Sequence, residues 1–282
     1  MLCVTIGCGL LVFVMIVGLY QRSRPILATK PLGELLFSSS WRPLQGEFGF
    51  LPFILGSLWV TILALLIAVP LCLLTSVYLS EYAHRYVREC TKPLIDLLAG
   101  IPSVVYGVWG VLVIVPLIKD RIAPFFGTYS AGYSVLAGGI VLAIMVIPVI
   151  THVSAEVFRS VPDDVREASL SLGATKWQTT KHVVLRKGMP GVIAAVVLGL
   201  SRAFGETMAV LMVAGNVAKS PTSIFDPAYP LPALIANNYG EMLSVPLYDS
   251  ALLFGCLVLL IVVLSFNAAA RVVLLRVQRR IQ

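Results

Sequence analysis

Six apolar segments divide this 282-residue sequence, and each is long enough to cross a lipid bilayer. A helix needs about 20 residues to span the hydrocarbon layer, because each residue adds only about 1.5 Å. Only 12% of the residues are charged, against about 25% in soluble domains, so a soluble fold would lack the polar groups to cover its surface. The sequence therefore predicts an all-α membrane protein with six transmembrane helices. The predicted spans are residues 2–20, 53–79, 94–118, 133–158, 189–214 and 250–274.

The first span occupies the position that a cleaved signal peptide would have. Its apolar run is longer than the usual signal core of about 7–15 residues, and no basic residue stands before it. It is therefore predicted to be retained as a helix.

The distribution of Lys and Arg predicts the orientation of the chain. With both termini in the cytoplasm, 13 of these residues lie in cytoplasmic segments and 7 lie outside, and Arg202 within the fifth span completes the 21. Because cytoplasmic loops of membrane proteins are enriched in Lys and Arg, both termini are predicted to be cytoplasmic. The cations are spread over several loops rather than gathered in one patch, so the net charge of +7 does not indicate a nucleic-acid partner.

Arg202 and Glu206 stand near the centre of the fifth predicted span, among residues that are apolar, small or hydroxyl-bearing. A charged side chain at the centre of a bilayer costs at least about 3 kcal/mol, so its default interpretation is functional. On a continuous helix, residues four apart share one face, which predicts that these two side chains can pair. Two interpretations stay open: a structural ion pair, or a site where the Arg202 guanidinium attracts a small anion and Glu206 moderates that attraction.

Gly100 and Pro102 interrupt the third predicted span. Irregular backbone at membrane depth is tolerated only against protein or a water-filled cavity. A helix that restarts after Pro102 would present free N–H groups, including that of Ser103, to an anion. The alternative is a kink that only packing requires.

The longest predicted cytoplasmic loop, 159–187, has the sequence signals of two short helices at an angle. The first is predicted over 163–172, with Ser160 as its cap, acidic residues in its first turn and Gly173 as its stop. Thr175, with Gln three residues later, predicts a capping box that opens the second helix. Taken alone, the loop is equally typical of an amphipathic surface hairpin.

Three stretches of the sequence resemble motifs of one transporter family. Residues 167–173, Glu-Ala-Ser-Leu-Ser-Leu-Gly, resemble the Glu-Ala-Ala-x-x-x-Gly signature of ABC importer permeases. Residues 99–107, Ala-Gly-Ile-Pro-Ser-Val-Val-Tyr-Gly, resemble the third-helix motif of phosphate permeases. Residues 201–210, Ser-Arg-Ala-Phe-Gly-Glu-Thr-Met-Ala-Val, resemble a motif of the PstC-type subunit. The sequence departs from the family after the loop, where Leu185 is followed by Arg186 rather than Pro.

The resemblance to PstC-type phosphate permeases implies a type I ABC importer permease fold. It implies a first helix and external loop over residues 1–52, and a five-helix core over 53–282 that carries a cytoplasmic coupling loop at 159–187. It also implies a role for two groups of residues, which are the ATPase-coupling residues Glu167, Ala168, Ser169, Gly173 and Ala174 and the substrate-pathway residues Arg202, Glu206, Thr207 and Ser103.

The resemblance implies that the chain works as half of a pair. The expected partners are a related PstA-type permease, two copies of an ATPase subunit, a soluble phosphate-binding protein, phosphate and membrane lipid. The expected location is the cytoplasmic (inner) membrane of a bacterium or archaeon. No cofactor is expected in this chain, because it has no Walker-type Gly-x-x-x-x-Gly-Lys-Ser/Thr run; ATP and Mg²⁺ are expected to be used by the ATPase subunits.

Three alternatives remain beside a phosphate permease. A permease for another oxyanion would share every feature described so far. An ATPase-independent anion transporter is disfavoured by the coupling-loop signature, and a membrane-embedded enzyme by the lack of a nucleophile–base or metal constellation in the sequence. The five cysteines are odd in number and lack metal-ligand spacing, and four of them lie in or beside apolar runs, which indicates buried small hydrophobic residues rather than a disulfide framework.

Overall fold

Six helices in the described part of the chain are long and apolar enough to cross a membrane, as the sequence predicts. The computed structural model describes residues 2–241 and 244–281. The spans are Gly9–Thr29, Leu51–Tyr82, Ser103–Phe125, Val135–Arg159, Lys176–Gly205 and Tyr248–Val272. The helices in chain order are α1 (Leu2–Thr29), α2 (Leu32–Phe37), α3 (Leu51–Val77), α4 (Arg85–Gly100), α5 (Ser103–Trp109), α6 (Val115–Leu117), α7 (Ala123–Phe125), α8 (Val135–Arg159), α9 (Asp163–Ser171), α10 (Lys176–Thr179), α11 (Leu185–Gly205), α12 (Met208–Val213), α13 (Leu231–Asn238) and α14 (Tyr248–Ile281).

Several of the long helices contain π-helical turns, in which the backbone hydrogen bonds span five residues instead of four. In the described residues these turns are Tyr78–Tyr82, Gly110–Ile114, Ile118–Ile122 and Thr180–Val184. They extend α3, join α5 to α7, and join α10 to α11. The spans therefore run on through them rather than ending there.

The boundaries of three spans differ most from the predicted ones. The first helix continues past the predicted end at residue 20 and stops at Thr29. The third span is two separate helices, since α4 ends at Gly100 and α5 begins at Ser103. The fifth span begins at Lys176 and ends at Gly205, so its predicted range of 189–214 is wrong at both ends.

Helix α8 lies at the centre of the bundle. Within its most apolar stretch 67% is buried, against 11% to 33% in the other spans. It begins where Ser134 caps the first turn by accepting a hydrogen bond from the Ala137 N–H. A Cβ built on Gly139 would lie 2.8 Å from Leu63 of α3, and one on Gly199 of α11 would lie 2.6 Å from Ile150. Glycine therefore lets both helices approach α8 closely.

An aromatic cluster closes one end of the bundle. Strands β1 (Trp41–Arg42) and β2 (Glu47–Phe48) pair antiparallel around a short turn. Trp41 packs edge-on against Phe53, with ring centroids 4.9 Å apart, and Tyr248 at the start of α14 is buried in the same cluster. The loop after α1 is thereby fixed to the ends of α3 and α14.

The cysteines with described side chains are free. Cys72 is buried, Cys256 is half-buried and Cys90 is exposed. Cys3 and Cys8 lie outside the part of the chain whose side chains are described. The interpretation as a buried small hydrophobic residue is therefore confirmed for Cys72, which lies in an apolar run.

Candidate functional site

Two helix interruptions form the centre of the candidate site. Between α4 and α5, Ile101 and Pro102 are extended, with ψ angles of 130° and 142°. Pro102 lacks an N–H and disfavours helical geometry at the preceding residue, so the predicted break is confirmed and has a local cause. Between α11 and α12, Glu206 is extended with a ψ angle of 125°.

The second interruption corrects the predicted pairing of Arg202 with Glu206. The helix ends at Gly205, so the two residues do not share one helical face. Instead, the Glu206 Oε1 accepts a hydrogen bond at 3.2 Å from the Ala209 N–H and caps the start of α12. Among the described side chains no ion pair joins Arg202 and Glu206. The Glu206 carboxylate is thus hydrogen-bonded to the backbone of α12 rather than paired with Arg202.

The two interruptions lie at matching depth because α5 and α12 pack in parallel. A Cβ built on Gly107 would lie 3.1 Å from the Ala209 Cα, and one on Gly110 would lie 2.8 Å from Val213. The contacts advance along both helices in the same direction. Counting back one turn from each contact brings the start of α5 level with the end of α11.

This level is close to the middle of the membrane-spanning bundle. Gly199 packs against Val146 and Ile150, which are central residues of the 25-residue helix α8. Arg202 follows Gly199 by less than one turn on α11. The small residues Ala195, Gly199 and Ala203 are buried, and small residues spaced by four let two helices approach closely.

Arg202 is exposed on the surface of the chain beside both interruptions. Tyr106 lies in the first turn of α5, just after the interruption of the third span. The Tyr106 hydroxyl donates a hydrogen bond of 2.8 Å to the Leu98 carbonyl of α4, which fastens the two halves of the third span across their break. The guanidinium therefore lies near the broken third span without a neutralising partner among the described side chains.

The structure brings the four predicted pathway residues to one level. Ser103 is the first residue of α5 and is half-buried, and Thr207 lies in the interruption before α12. The Thr207 hydroxyl is 3.4 Å from the Gly205 carbonyl. Together with Arg202 and Glu206 these residues supply one cation, one carboxylate and two hydroxyls.

Sequence reasoning missed the residues that hold the end of α11 in place. The Ser201 hydroxyl donates to the Asn267 Oδ1 at 2.5 Å, and the Phe204 and Phe266 rings pack with centroids 4.9 Å apart. Both contacts join α11 to α14. The available signal is Asn267 itself, since a lone amide in an apolar span commonly hydrogen-bonds to a neighbouring helix.

The predicted two-helix geometry of residues 159–187 is confirmed in its first half. Helix α9 stops before Gly173, whose φ of +83° is left-handed, and Thr175 forms the predicted capping box with Gln178. The cap at Ser160 is wrong, because Pro162 occupies the N-cap position and the Ser160 hydroxyl bonds to the Val157 carbonyl. The geometry therefore depends on Gly173 more than on Ser160.

The second half of the loop is a membrane helix rather than a short separate helix. From Lys176 the helix continues through Arg186 and Pro190 to Gly205. The departure from the family pattern at Arg186 therefore leaves the loop exit helical. The second half of the loop is therefore continuous with the helix that ends at the interruption before Glu206.

The coupling residues present a partly apolar surface. Glu167, Ala168 and Gly173 are exposed, whereas Ser169 is half-buried and its hydroxyl lies 3.0 Å from that of Thr179. Ala174 is half-buried. The exposed fractions of the large apolar side chains on the same loop are 47% for Leu170, 89% for Leu172 and 60% for Trp177. Exposed apolar side chains among polar ones are typical of a protein-docking surface.

Close packing at Gly107 leads to a stability prediction. Gly107→Leu should lower the thermal unfolding midpoint of the purified protein, because its Cβ would already lie 3.1 Å from backbone and 2.6 Å from the Met212 sulfur. Overpacking of this kind costs about 1–3 kcal/mol. Gly18→Leu is the matched control, since nothing lies within 4 Å of a Cβ there. Equal midpoints for the two variants would contradict the close approach of α5 and α12.

Comparison with protein families gives one match over most of the chain. Residues 72–282 match the family described as binding-protein-dependent transport system inner membrane component.

Three similar proteins illustrate the range of sequence identity. The phosphate transport system permease protein PstC of Xylella fastidiosa strain 9a5c is 40% identical over 261 residues, covering 88% of this chain and 80% of that protein. The probable ABC transporter permease protein YqgH of Bacillus subtilis strain 168 is 43% identical over 83% of this chain and 74% of its own length. The probable PstC of Methanocaldococcus jannaschii is 31% identical over 91% of this chain and 86% of its own.

Solved structures share the fold at low sequence identity. An inward-facing structure of the MetNI methionine ABC transporter matches with a TM-score of 0.61 and 20% identity, over 79% of this chain and 93% of that one. A bacterial ABC transporter that imports alginate matches with a TM-score of 0.61 and 14% identity, over 98% of both chains. The predicted fold class is thereby confirmed.

Proposed function

The chain belongs to the family of binding-protein-dependent transport system inner membrane components, and we propose that it forms half of the phosphate pathway of an ATP-driven importer. Relatives named as phosphate permeases, at 31% to 40% identity over most of the chain, support phosphate as the substrate. The chain is a transport subunit, and ATP hydrolysis with Mg²⁺ belongs to its partner ATPase subunits.

The observation that carries the proposal is that Arg202 and the start of the helix at Ser103 lie at the same level of the bundle, beside two helix interruptions. A guanidinium binds phosphate oxygens through its planar fork of donors. The first N–H groups of the helix that begins at Ser103 and continues to Phe125 have no helical acceptors and carry the positive end of its dipole. Interrupted helices that direct such groups at an anion are typical of substrate sites in transporters.

Glu206 limits both the strength and the selectivity of anion binding at the site. Its Oε1 serves as the cap of α12, and its second carboxylate oxygen accepts a hydrogen bond from a protonated phosphate oxygen. Sulfate at neutral pH has no such proton, so the Glu206 carboxylate repels it. This repulsion makes the site selective for phosphate over sulfate. Ser103 and Thr207 add hydroxyls that donate to the remaining phosphate oxygens.

Two ATPase subunits dock on the coupling loops of this chain and of a related permease. Here the exposed Glu167 and Ala168 lie beside the apolar side chains Leu170, Leu172 and Trp177. Ser169, Gly173 and Ala174 set the angle between α9 and α10. A soluble phosphate-binding protein delivers the anion from outside, and ATP-driven closure of the ATPases moves the loops.

Uptake by a reconstituted complex tests this function. Vesicles that contain this chain, the second permease and the ATPase subunits should accumulate radiolabelled phosphate when the binding protein is outside and ATP is inside. Excess sulfate should leave that uptake unchanged. Vesicles without ATP are the control. Preferential uptake of sulfate or another oxyanion would identify the permease of a different anion, and uptake that needs no ATP would identify an independent transporter.

We further propose that both termini are cytoplasmic, as the Lys and Arg distribution predicts. Ser39→Cys and Ser223→Cys, each in a background without other cysteines, should react with a membrane-impermeant thiol reagent from outside. Both residues are exposed, and Asp226 holds the turn around Ser223, where the Thr222 N–H and hydroxyl donate to its carboxylate and lower its pKa.

The exposed native residue Cys90 provides the opposite control. As the sole cysteine it should react only after the membrane is permeabilised. Labelling of Ser39→Cys or Ser223→Cys from the inside alone would contradict the orientation.

A further inference from the structure

Arg166 fastens the coupling helix to the inner ends of two membrane helices. Its guanidinium donates to the Phe158 and Val161 carbonyls, both at 2.7 Å, at the end of α8 and just beyond it. It also pairs with Glu81 of the turn Tyr78–Tyr82 at 3.0 Å. The exposed fractions of the two side chains are 17% for Arg166 and 9% for Glu81. Because the pair is shielded from water, removing either partner leaves an uncompensated buried charge and strongly weakens this contact.

The same turn contacts the second half of the coupling loop through Tyr82. The Lys176 ammonium lies 5.0 Å from the centroid of the Tyr82 ring, within range of a cation–π interaction. The Tyr82 hydroxyl is 3.5 Å from that of Thr180. Neighbouring residues of one π-helical turn are therefore held by both helices of the coupling loop.

Arg88 of α4 holds this turn from the other side. Its Nε donates to the Leu79 carbonyl at 3.1 Å and its Nη2 donates to the Ser80 carbonyl at 2.9 Å. A π-helical turn leaves carbonyls able to take such side-chain donors, and such turns are frequent at functional positions. Helix α4 leads directly to the interruption at Pro102, and the Tyr106 hydroxyl joins it to α5 beyond that interruption.

From these contacts we infer that the turn Tyr78–Tyr82 is a relay between the coupling loop and the interrupted third span. Arg166 and Arg88 are its positioning residues, one on the side of the ATPase and one on the side of the substrate pathway. This inference rests on the proposed function. A displacement of α9 pulls on Glu81, moves the turn as a unit, and shifts α4 through the carbonyls that Arg88 holds.

The relay predicts loss of coupling without loss of assembly. Glu81→Gln removes the charge that links Arg166 to the turn but leaves the Arg166 contacts to α8. Arg88→Gln releases α4 from the turn. In reconstituted vesicles each variant should keep its ATPase subunits and continue to hydrolyse ATP. The phosphate moved per ATP hydrolysed should fall roughly tenfold, within the range expected for residues that carry coupling between sites.

Each variant has a matched control. Asp163 accepts from Arg166 at 2.6 Å but is 83% exposed and belongs to α9, so Asp163→Asn should leave the ratio of phosphate to ATP unchanged. Arg85 lies one turn before Arg88 and pairs with Glu89 of its own helix. Arg85→Gln should therefore also leave the ratio unchanged. Arg88→Lys should recover part of the lost transport, because it keeps one charged donor.

A double-mutant cycle distinguishes a shared relay from two separate defects. If Glu81 and Arg88 act through one turn, Glu81→Gln with Arg88→Gln should be no worse than the more severe single variant. Independent, multiplying effects would overturn the inference, as would unchanged ratios for both singles. Loss of ATPase co-purification by both singles would show a purely structural role and would also overturn it. If the unmodified complex moved no phosphate at all, the proposed function itself would fail.

Discussion

Arg202→Gln is expected to reduce phosphate uptake roughly 10- to 100-fold, the loss that follows when a charge-assisted hydrogen bond is removed. Glutamine retains hydrogen-bonding capacity and most of the side-chain length but removes the positive charge beside the interruptions. The subunit should still insert and assemble, because losing a charge at membrane depth relieves an insertion cost. Uptake into vesicles and co-purification of the partner subunits measure the two properties separately.

Three further variants separate a substrate role from a structural one. Arg202→Lys keeps the charge but loses the planar fork, so it should recover only part of the uptake. Glu206→Gln keeps an oxygen that caps α12, so assembly should survive while sulfate competes better for the site. Exchanging the two residues, Arg202→Glu with Glu206→Arg, should not restore uptake, because they do not pair in the structure. Normal uptake by Arg202→Gln, or rescue by the exchange, would remove Arg202 from the phosphate pathway.

Gly173→Val is expected to abolish co-purification of the ATPase subunits while the permease still inserts into the membrane. The φ of +83° at Gly173 is unfavourable for any residue with a side chain and most unfavourable for a β-branched one. The strain of about 1–2 kcal/mol is relieved by changing the angle between α9 and α10. Nothing lies within 4 Å of a Cβ at Gly173, so no neighbouring atom holds the joint itself, and the docking surface loses its shape.

Gly173→Asn is the matched control for this prediction. Asparagine tolerates the left-handed conformation better than other side chains, and nothing lies within 4 Å of a Cβ at this position. It should therefore retain the ATPase subunits. A complex that assembles and couples normally with valine at position 173 would show that the angle between the helices does not matter.

Features with a local cause were predictable from the sequence. Pro102 removes an N–H and forces an extended residue before it, so the break in the third span could be placed to within a residue or two. Gly173 and the Thr175 capping box are likewise short-range signals, and both are confirmed. The apolar runs predicted the number of spans for the same reason, since insertion into lipid depends on local hydropathy.

Features that depend on tertiary contacts were not predictable. The residues around Glu206 contain no proline, and a continuous helix there would satisfy every local rule. The helix breaks because Glu206 caps α12, whose position is fixed by packing against Gly107. The sequence also did not reveal that the fifth span starts at Lys176. The ion pair of Arg166 with Glu81 joins residues 85 positions apart in the sequence, so no spacing rule could predict it.

The π-helical turns have a consequence for changes in chain length. Deleting one residue from a regular α-helix rotates everything after it by about 100°, since a turn contains 3.6 residues. Deleting one residue within Gly110–Ile114 would instead convert a wide turn into an ordinary one and leave the flanking faces in register. Alignments of homologous permeases should therefore show single-residue deletions at these π-helical turns but not elsewhere in the same spans. Helix α8 has no such turn in its 25 residues, so its length should vary less than that of the spans that contain one.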